Sequence, residues 1–406
     1  MKQDILHIDR RFRLIEELGR ALHRFGLPSH RVEAALALVA RRIGVDAQLF
    51  ATPTAIFASV REGDEQRAML LRVEPGEIQL SKLGRVDRLV AELVDDRIDI
   101  DAARARLHQI VDDEEPHGWR TTLVARALAS GSAAIFFSGG WRESLLAALI
   151  SVVVGGMWLL ATRLRRETFG LESLAAVVTG FLAATVASMN SSVSFFITTL
   201  AALIILFPGL TLTLGISELA MRNLASGTVR LGGAMLSFVQ IALGVVVGVR
   251  LSEALWGAVP TAEPLSVSIA WIPVALVMTA AAFVIFFQGE WRSYGWTLLS
   301  AIVAYGTTRL AASMGGAEAG AFVGAAALGS ASHLYARWLR RPAAQFLIPG
   351  VMLIVPGSLG FRSITTLIGQ DVVGGVQLAA SVAAVAVSLV SGLLVAGALV
   401  PSRRSF

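Results

Sequence analysis

Apolar positions change their rhythm near residue 120. Before it they recur between charged residues at helical or alternating spacing; after it they run almost without interruption. Phe12, Ile15, Leu18, Leu22 and Phe25 follow the 3.6-residue period and stop at Gly26. A second helix is expected from about Ser29, burying Val32, Leu36, Val39 and Ile43 before Gly44. TAIFASV (54–60) and QRAMLLRV (66–73) read as strands around the turn REGDE. EIQL (77–80) reads as a third strand after Pro75-Gly76. Two amphipathic helices follow, on Leu83, Val86, Val90 and Leu93, then on Ile100, Ala103, Leu107 and Ile110, and the run DDEEPHG (112–118) is a polar hinge.

A helix needs about 20 apolar residues to cross the hydrocarbon core. Ten such stretches are expected, near 121–138, 143–161, 172–190, 194–213, 229–250, 267–287, 294–311, 316–335, 343–360 and 373–400. The chain therefore reads as a polytopic α-helical membrane protein behind an N-terminal α+β domain of residues 1–120.

The membrane part repeats itself. FFSGGWR (136–142) returns as FFQGEWR (286–292). Thr162-Arg163-Leu164 with Gly170 and Glu172 returns as Thr308-Arg309-Leu310 with Gly316 and Glu318, and Pro208-Gly209 returns as Pro349-Gly350. A repeat unit of five spans, 121–260 and 261–406, enters the membrane from opposite sides, giving inverted halves as in many secondary transporters. The fourth and ninth spans both contain Pro-Gly, and the ninth has a second pair at Pro356-Gly357. Proline inside a helix costs about 3 kcal/mol, and lipid offers the freed carbonyl no partner. Paired breaks in corresponding spans point to a binding site at the midplane.

Composition agrees with this division: 55% of residues are hydrophobic, 16% charged, and mean hydropathy is +0.66. Residues 1–120 hold 19 Lys+Arg and 21 Asp+Glu, and the remainder holds 16 and 9, so the net charge of +5 belongs to the membrane part and marks topology, not nucleic-acid affinity. With the N-terminal domain in the cytoplasm, Arg163, Arg165, Arg166, Arg222, Arg230, Arg292, Arg337, Arg340, Arg341, Arg403 and Arg404 face inward. Arg142, Arg250, Arg309 and Arg362 face outward. Both termini are thus expected in the cytoplasm of a cell whose inner membrane holds the chain. The start, MKQDILHIDRRFR, lacks the apolar core of a signal peptide. There is no cysteine, hence no disulfide or thiolate chemistry.

FPGLTLTLGISELAMRNLASGTVRLGGA with IPGVMLIVPGSLGFRSI resembles the two signatures of the threonine/serine exporter family, often called ThrE. RFGLPSHRVEAALALVARRIGV and GEIQLSKLGRVDRLVAEL resemble that family's N-terminal domain. The resemblance covers nearly the whole chain and implies proton-driven export of threonine and serine. Relatives with the halves on separate chains include dicarboxylate exporters, which keeps succinate-like substrates open. Where the family pattern has Asp, this chain has Glu218.

The candidate substrate site comprises Pro208, Gly209, Thr211, Thr213, Pro349, Gly350, Pro356, Gly357 and Ser358: glycine lets backbone approach closely, and hydroxyls bond polar groups. Candidate coupling and gating residues are Glu218 with Arg222 four positions on, Ser358 and Arg362 at the same spacing in the second half, and Glu172 and Glu318 at the starts of matching spans. Each has a plainer reading, as a solvated salt bridge or a helix N-terminal charge. His333 and Asp371 stand further back as proton-handling groups. The six histidines show no metal-ligand spacing, and neither a G-x-S-x-G elbow nor a P-loop occurs, so no cofactor, hydrolase or ATPase chemistry is implied. A channel, or an anchored sensor or enzyme working through residues 1–120, are the rival classes.

Overall fold

The computed structural model describes residues 2–400 except 63, 64, 75, 165–169, 261 and 263. Pro75, Arg165, Arg166, Arg403, Arg404 and part of the REGDE turn therefore lie outside the described residues.

The N-terminal segment packs four helices, α1 (Lys2–Arg24), α2 (Ser29–Arg42), α3 (Leu80–Val94) and α4 (Ile100–Asp112), with an antiparallel sheet of β1 (Asp46–Thr52), β2 (Ala55–Glu62) and β3 (Glu65–Arg72) in the order β1-β2-β3. Strand β2 alternates as a half-buried strand should: Ile56, Ala58 and Val60 point inward while Phe57 is exposed. The expected helical stripes meet there, Leu14, Leu18 and Leu22 of α1 against Val32, Leu36 and Val39 of α2, Val86 and Val90 of α3 and Leu107 of α4. Asp99 caps α4, its carboxylate accepting from the Ala102 N–H at 2.7 Å. One expected strand is replaced by another. EIQL joins no sheet, and β1 takes the place beside β2, although its alternation is too weak to announce it.

The rest of the chain is helical: α5 (Trp119–Phe136), α6 (Trp141–Arg163), α7 (Leu171–Met189), α8 (Phe195–Ala202), α9 (Gly209–Ala220), α10 (Leu224–Trp256), α11 (Ile272–Phe286), α12 (Tyr294–Leu339), α13 (Ala344–Ile354), α14 (Gly357–Ile368) and α15 (Val372–Leu399). Helix α12 breaks into two arms at Gly315-Gly316. Among the described residues six segments are long and apolar enough to cross a membrane: α6, α7, α10, Ile269–Phe286, Ala344–Ile368 and α15. The other four expected spans fall outside that group. Arg120 and Arg126 dilute α5, a turn divides α8 from α9, and the arms of α12 are small-residue helices interrupted by Arg309 and Glu318.

Backbone turns recur in the same order along both halves. Ser138 and Gln288 both have positive φ, 62° and 49°, just after α5 and α11. Gly170 (φ 81°) precedes α7, and Gly316 (φ 82°) precedes the second arm of α12. Pro208 (φ −78°, ψ 37°) and Pro356 (φ −80°, ψ 37°) precede α9 and α14, each of 12 residues. Arg222 (φ 63°) and Gln370 (φ 69°) follow them, and Asn223 and Asp371 then cap α10 and α15. This corrects the pairing of Pro208-Gly209 with Pro349-Gly350: the counterpart is Pro356-Gly357. Pro349 lies inside α13, where the Ser300 hydroxyl donates to the neighbouring Phe346 carbonyl at 2.5 Å.

Candidate functional site

Helices α9 and α14 begin against one another. A Cβ on Gly209 would stand 3.0 Å from Gly357 Cα, tighter than side chains normally pack, while one on Gly357 would stand 3.2 Å from Phe207 Cβ and 3.4 Å from Gly209 Cα. Glycine thus lets the two turns approach closely, above all at Gly209. The first helical bonds are Leu212 N–H to the Pro208 carbonyl (2.9 Å) and Gly360 N–H to the Pro356 carbonyl (3.0 Å). The N–H groups before them, including those of Thr211 and Ser358, have no helical acceptor, and each helix end carries about half a positive charge. Phe207 stacks on Phe361 with ring centroids 4.9 Å apart and closes one side of the junction.

Beside this junction lies a cavity of about 160 Å³, lined by Gly209, Gly357 and Ser358 together with Ser132 of α5, Thr279 of α11 and Tyr305 of α12. The Thr279 hydroxyl donates to Ser132 Oγ at 2.8 Å, tying α5 to α11 across the wall. The remaining wall is apolar, with Phe137, Phe283 and Met352. Its volume falls below the roughly 300 Å³ at which drug-sized pockets begin. What fits is a small solute whose anionic end meets two helix N-termini and whose polar remainder meets hydroxyls. A larger cleft of about 730 Å³ between α9, α10, α14 and α15 is almost wholly apolar and offers little to such a solute.

Not every expected site residue converges here. Gly209, Gly357 and Ser358 line the cavity, and Pro208 and Pro356 shape its turns. Thr213 is buried, its hydroxyl donating to the Gly209 carbonyl within α9 at 3.0 Å. Gly350 faces α12, where a Cβ would meet Leu328 and Ser300 at 2.5 Å. Glu172 is half-buried and Glu318 exposed, each in the first turn after a left-handed glycine. Arg362 is exposed, its guanidinium 5.0 Å from the Phe196 ring centroid. Asp371 caps α15, and His333 Nδ1 lies 2.7 Å from the Val400 carbonyl.

Glu218 has a different partner from the one its spacing suggests. It is fully buried, with Oε2 accepting from Arg230 Nε at 2.9 Å and Oε1 from the Ser29 N–H at 3.3 Å. Arg222 lies beyond the end of α9 in a left-handed turn, so the four-residue helical register does not reach it. The chain folds back there, and Arg230 comes across from α10. The same junction joins Ser226 Oγ to the Ala51 carbonyl (3.1 Å) and Glu33 Oε1 to the Ala51 N–H (2.7 Å). Burial, with the charges of Arg31 and Arg230, pushes the His30 imidazole down to about 4, so it is neutral at physiological pH. In the second half the position matching Glu218 is not Ser358 but Thr366, which donates to the Arg362 carbonyl at 2.8 Å.

Two features went unread in the sequence. Arg126 stands within α5, one turn from cavity-lining Ala129. Glu143 is buried, accepting from the Gly140 N–H (2.8 Å) and the Ser194 N–H (2.9 Å), which pins the start of α6 to the start of α8. A charge inside an apolar run was the available signal for Arg126, whereas Glu143, in the first turn of α6 beside Arg142, reads as a helix N-terminal charge. Among the described residues no group of three or more His, Cys, Asp or Glu is placed to hold a metal ion.

Residues 13–252 match a family described as "Putative threonine/serine exporter", and residues 273–399 match "Threonine/Serine exporter, ThrE". The chain is similar to "Pheromone-regulated membrane protein 10" of Debaryomyces hansenii, 24% identical over 91% of this chain and 37% of that protein. Proteins of the same name from Candida albicans (24% identical, 88% of this chain, 34% of the relative) and Eremothecium gossypii (24%, 87% and 49%) are similar too. The chain thus spans between a third and a half of these relatives. No solved structure matches it. Across both halves of its helical part and most of its N-terminal segment, the chain belongs to the threonine/serine exporter family.

Proposed function

We propose that this chain is a secondary transporter that exports threonine and serine from the cytoplasm, with the cavity at the Gly209–Gly357 junction as its substrate site. The observation that carries this reading is the meeting of two interrupted helices, N-terminus to N-terminus, beside a cavity bearing hydroxyls. An amino-acid carboxylate suits the helix starts, and the ammonium suits the carbonyls released where α8 and α13 end. Inverted five-span repeats, 121–260 and 261–406, following a cytoplasmic domain of 1–120 account for the recurring turns.

The loops support ten crossings with both termini inside. Turns near 223, 288 and 345 all touch the N-terminal segment. Turns after α5 and before α11 meet one another instead: Val267 N–H donates to the Gly139 carbonyl at 3.3 Å, and Trp141 packs on Trp271 at 4.6 Å between centroids. Such tryptophans suit a membrane interface. Proton antiport would use Glu218, whose carboxylate must leave Arg230 to take a proton; Glu218→Gln then keeps substrate exchange and loses uphill efflux.

The test is efflux of labelled threonine, serine and succinate from loaded cells of an inner-membrane expression host, with and without a protonophore. Uphill loss of threonine and serine, abolished by the protonophore, is expected. Succinate efflux alone would redirect the substrate to dicarboxylates, and flux only down the gradient would make the protein a channel.

A further inference from the structure

Residues 77–80 leave the sheet that their sequence suggests and run against the helical part instead. Gly76 lies so close to the end of α1 that a Cβ there would overlap the Arg24 carbonyl, and the Gln79 N–H donates to the Phe25 carbonyl at 3.2 Å. The Leu80 N–H then donates to the Phe287 carbonyl (2.9 Å), and the Ser81 N–H to that of Gln288 (3.4 Å). Gln345 Nε2 reaches the Leu80 carbonyl at 3.5 Å. Ile78 and Leu80 pack with Phe283, Phe287, Ile348 and Met352. Phe283 and Met352 also line the cavity, so one layer of side chains separates the segment from the space beside Gly209 and Gly357.

Arg126 of α5, one turn from cavity-lining Ala129, has a buried Nη1 without a hydrogen-bond partner among the described residues. Gly155 of α6 makes room for the arginine stem: a Cβ there would stand 2.7 Å from Arg126 Cδ. An ionisable group within a membrane helix faces the protein interior and a functional path more often than lipid.

We propose that residues 77–80 are a plug over the end of the cavity nearest the N-terminal segment, seated by Ile78 and Leu80 and by the backbone hydrogen bonds to Phe287 and Gln288. The inference rests on the transport reading above and adds the gate that controls entry to that site. A substrate coming from this side enters when the segment lifts off Phe283 and Met352. Because residues 77–80 continue directly into α3, movement of the N-terminal segment moves the plug.

The chain has no native cysteine, so introduced pairs report cleanly. Ser81→Cys with Gln288→Cys joins neighbours whose backbones are hydrogen-bonded, Ser81 N–H to the Gln288 carbonyl at 3.4 Å, and formation of the crosslink is checked by its loss on reduction. Oxidation should cut threonine efflux by about tenfold or more, and reduction should restore the rate of the unoxidised pair. Undiminished efflux by the crosslinked protein overturns the plug and leaves the transport reading standing. A second arm does not depend on transport. Ser358→Cys should react with a hydrophilic maleimide from the N-terminal side about tenfold faster when Ile78 and Leu80 are both alanine, because large-to-small changes weaken the seat. Equal labelling rates overturn the plug even if the transported substrate is not threonine.

Discussion

Pro208 and Pro356 start α9 and α14 with nearly the same backbone angles, yet ten residues later one helix carries Glu218 and the other Thr366. Glu218 is fully buried against Arg230 and the start of α2; Thr366 merely returns a hydrogen bond to its own helix. The comparison separates two jobs. Features shared by the halves build the cavity, whereas the feature found only in the first half ties α9 to the N-terminal segment. A proton-linked step, if it lives on a carboxylate in these helices, is confined to the first half.

The largest expected effect comes from breaking the asymmetric side. Glu218→Ala removes the buried carboxylate and leaves the part-buried Arg230 guanidinium without its partner, a loss that approaches the about 3–5 kcal/mol of a broken buried pair. Thermal unfolding should drop clearly for Glu218→Ala and little for Thr366→Ala. Equal drops would mean the junction is not specific to the first half.

The same junction should respond to acid. His30 titrates near 6.5 when unfolded and at about 4 in the folded protein. Its neutral form is the one folded into the junction, so stability is complete above pH 6.5 and falls as pH drops from 6.5 towards 4, by on the order of 3 kcal/mol. Unfolding midpoints across that range should slope downward in the native chain and less so in His30→Gln. Identical slopes would remove His30 from the account.

The symmetric side is tested by bulk. Gly209→Leu and Gly357→Leu force a side chain into the contact between the two turns, an overpacking cost of about 1–3 kcal/mol in stability, and fill part of the cavity that both residues line. Both should lose efflux to a similar degree while still inserting in the membrane. Loss in one alone would break the equivalence of the halves. The smallest change is expected from Pro349→Ala, which restores an N–H inside α13 and leaves the cavity lining untouched. Efflux by this variant should stay within about twofold of the native rate, and a loss matching that of Gly357→Leu would return Pro349 to the site.

Much of this was legible along the chain. The helical stripes of α1 to α4 and the Pro-Gly breaks follow from local periodicity and backbone chemistry, which act over a few residues. Contacts that depend on turns were not. Glu218 finds Arg230 because the left-handed Arg222 reverses the chain, and four-residue arithmetic fails across a reversal. EIQL has strand chemistry, but its backbone partners are Phe25 and Phe287, one on each side of the junction with the helical part. The pairing of Pro349 with Pro208 failed for a third reason. Pro349 falls within α13, which stays helical around it, and sequence does not say which of two Pro-Gly pairs breaks the chain.

The central claim is that a small amino acid sits where α9 and α14 begin, and substrate protection tests it most directly. Ser358→Cys, the sole thiol in the chain, lines that cavity and should be labelled by a small maleimide in reconstituted vesicles. Threonine and serine should slow the labelling in a saturable way, while leucine, which has no hydroxyl to meet those of Ser132, Thr279 and Ser358, should slow it much less. A labelling rate indifferent to threonine, in protein that still exports it, would place the substrate elsewhere and contradict the account.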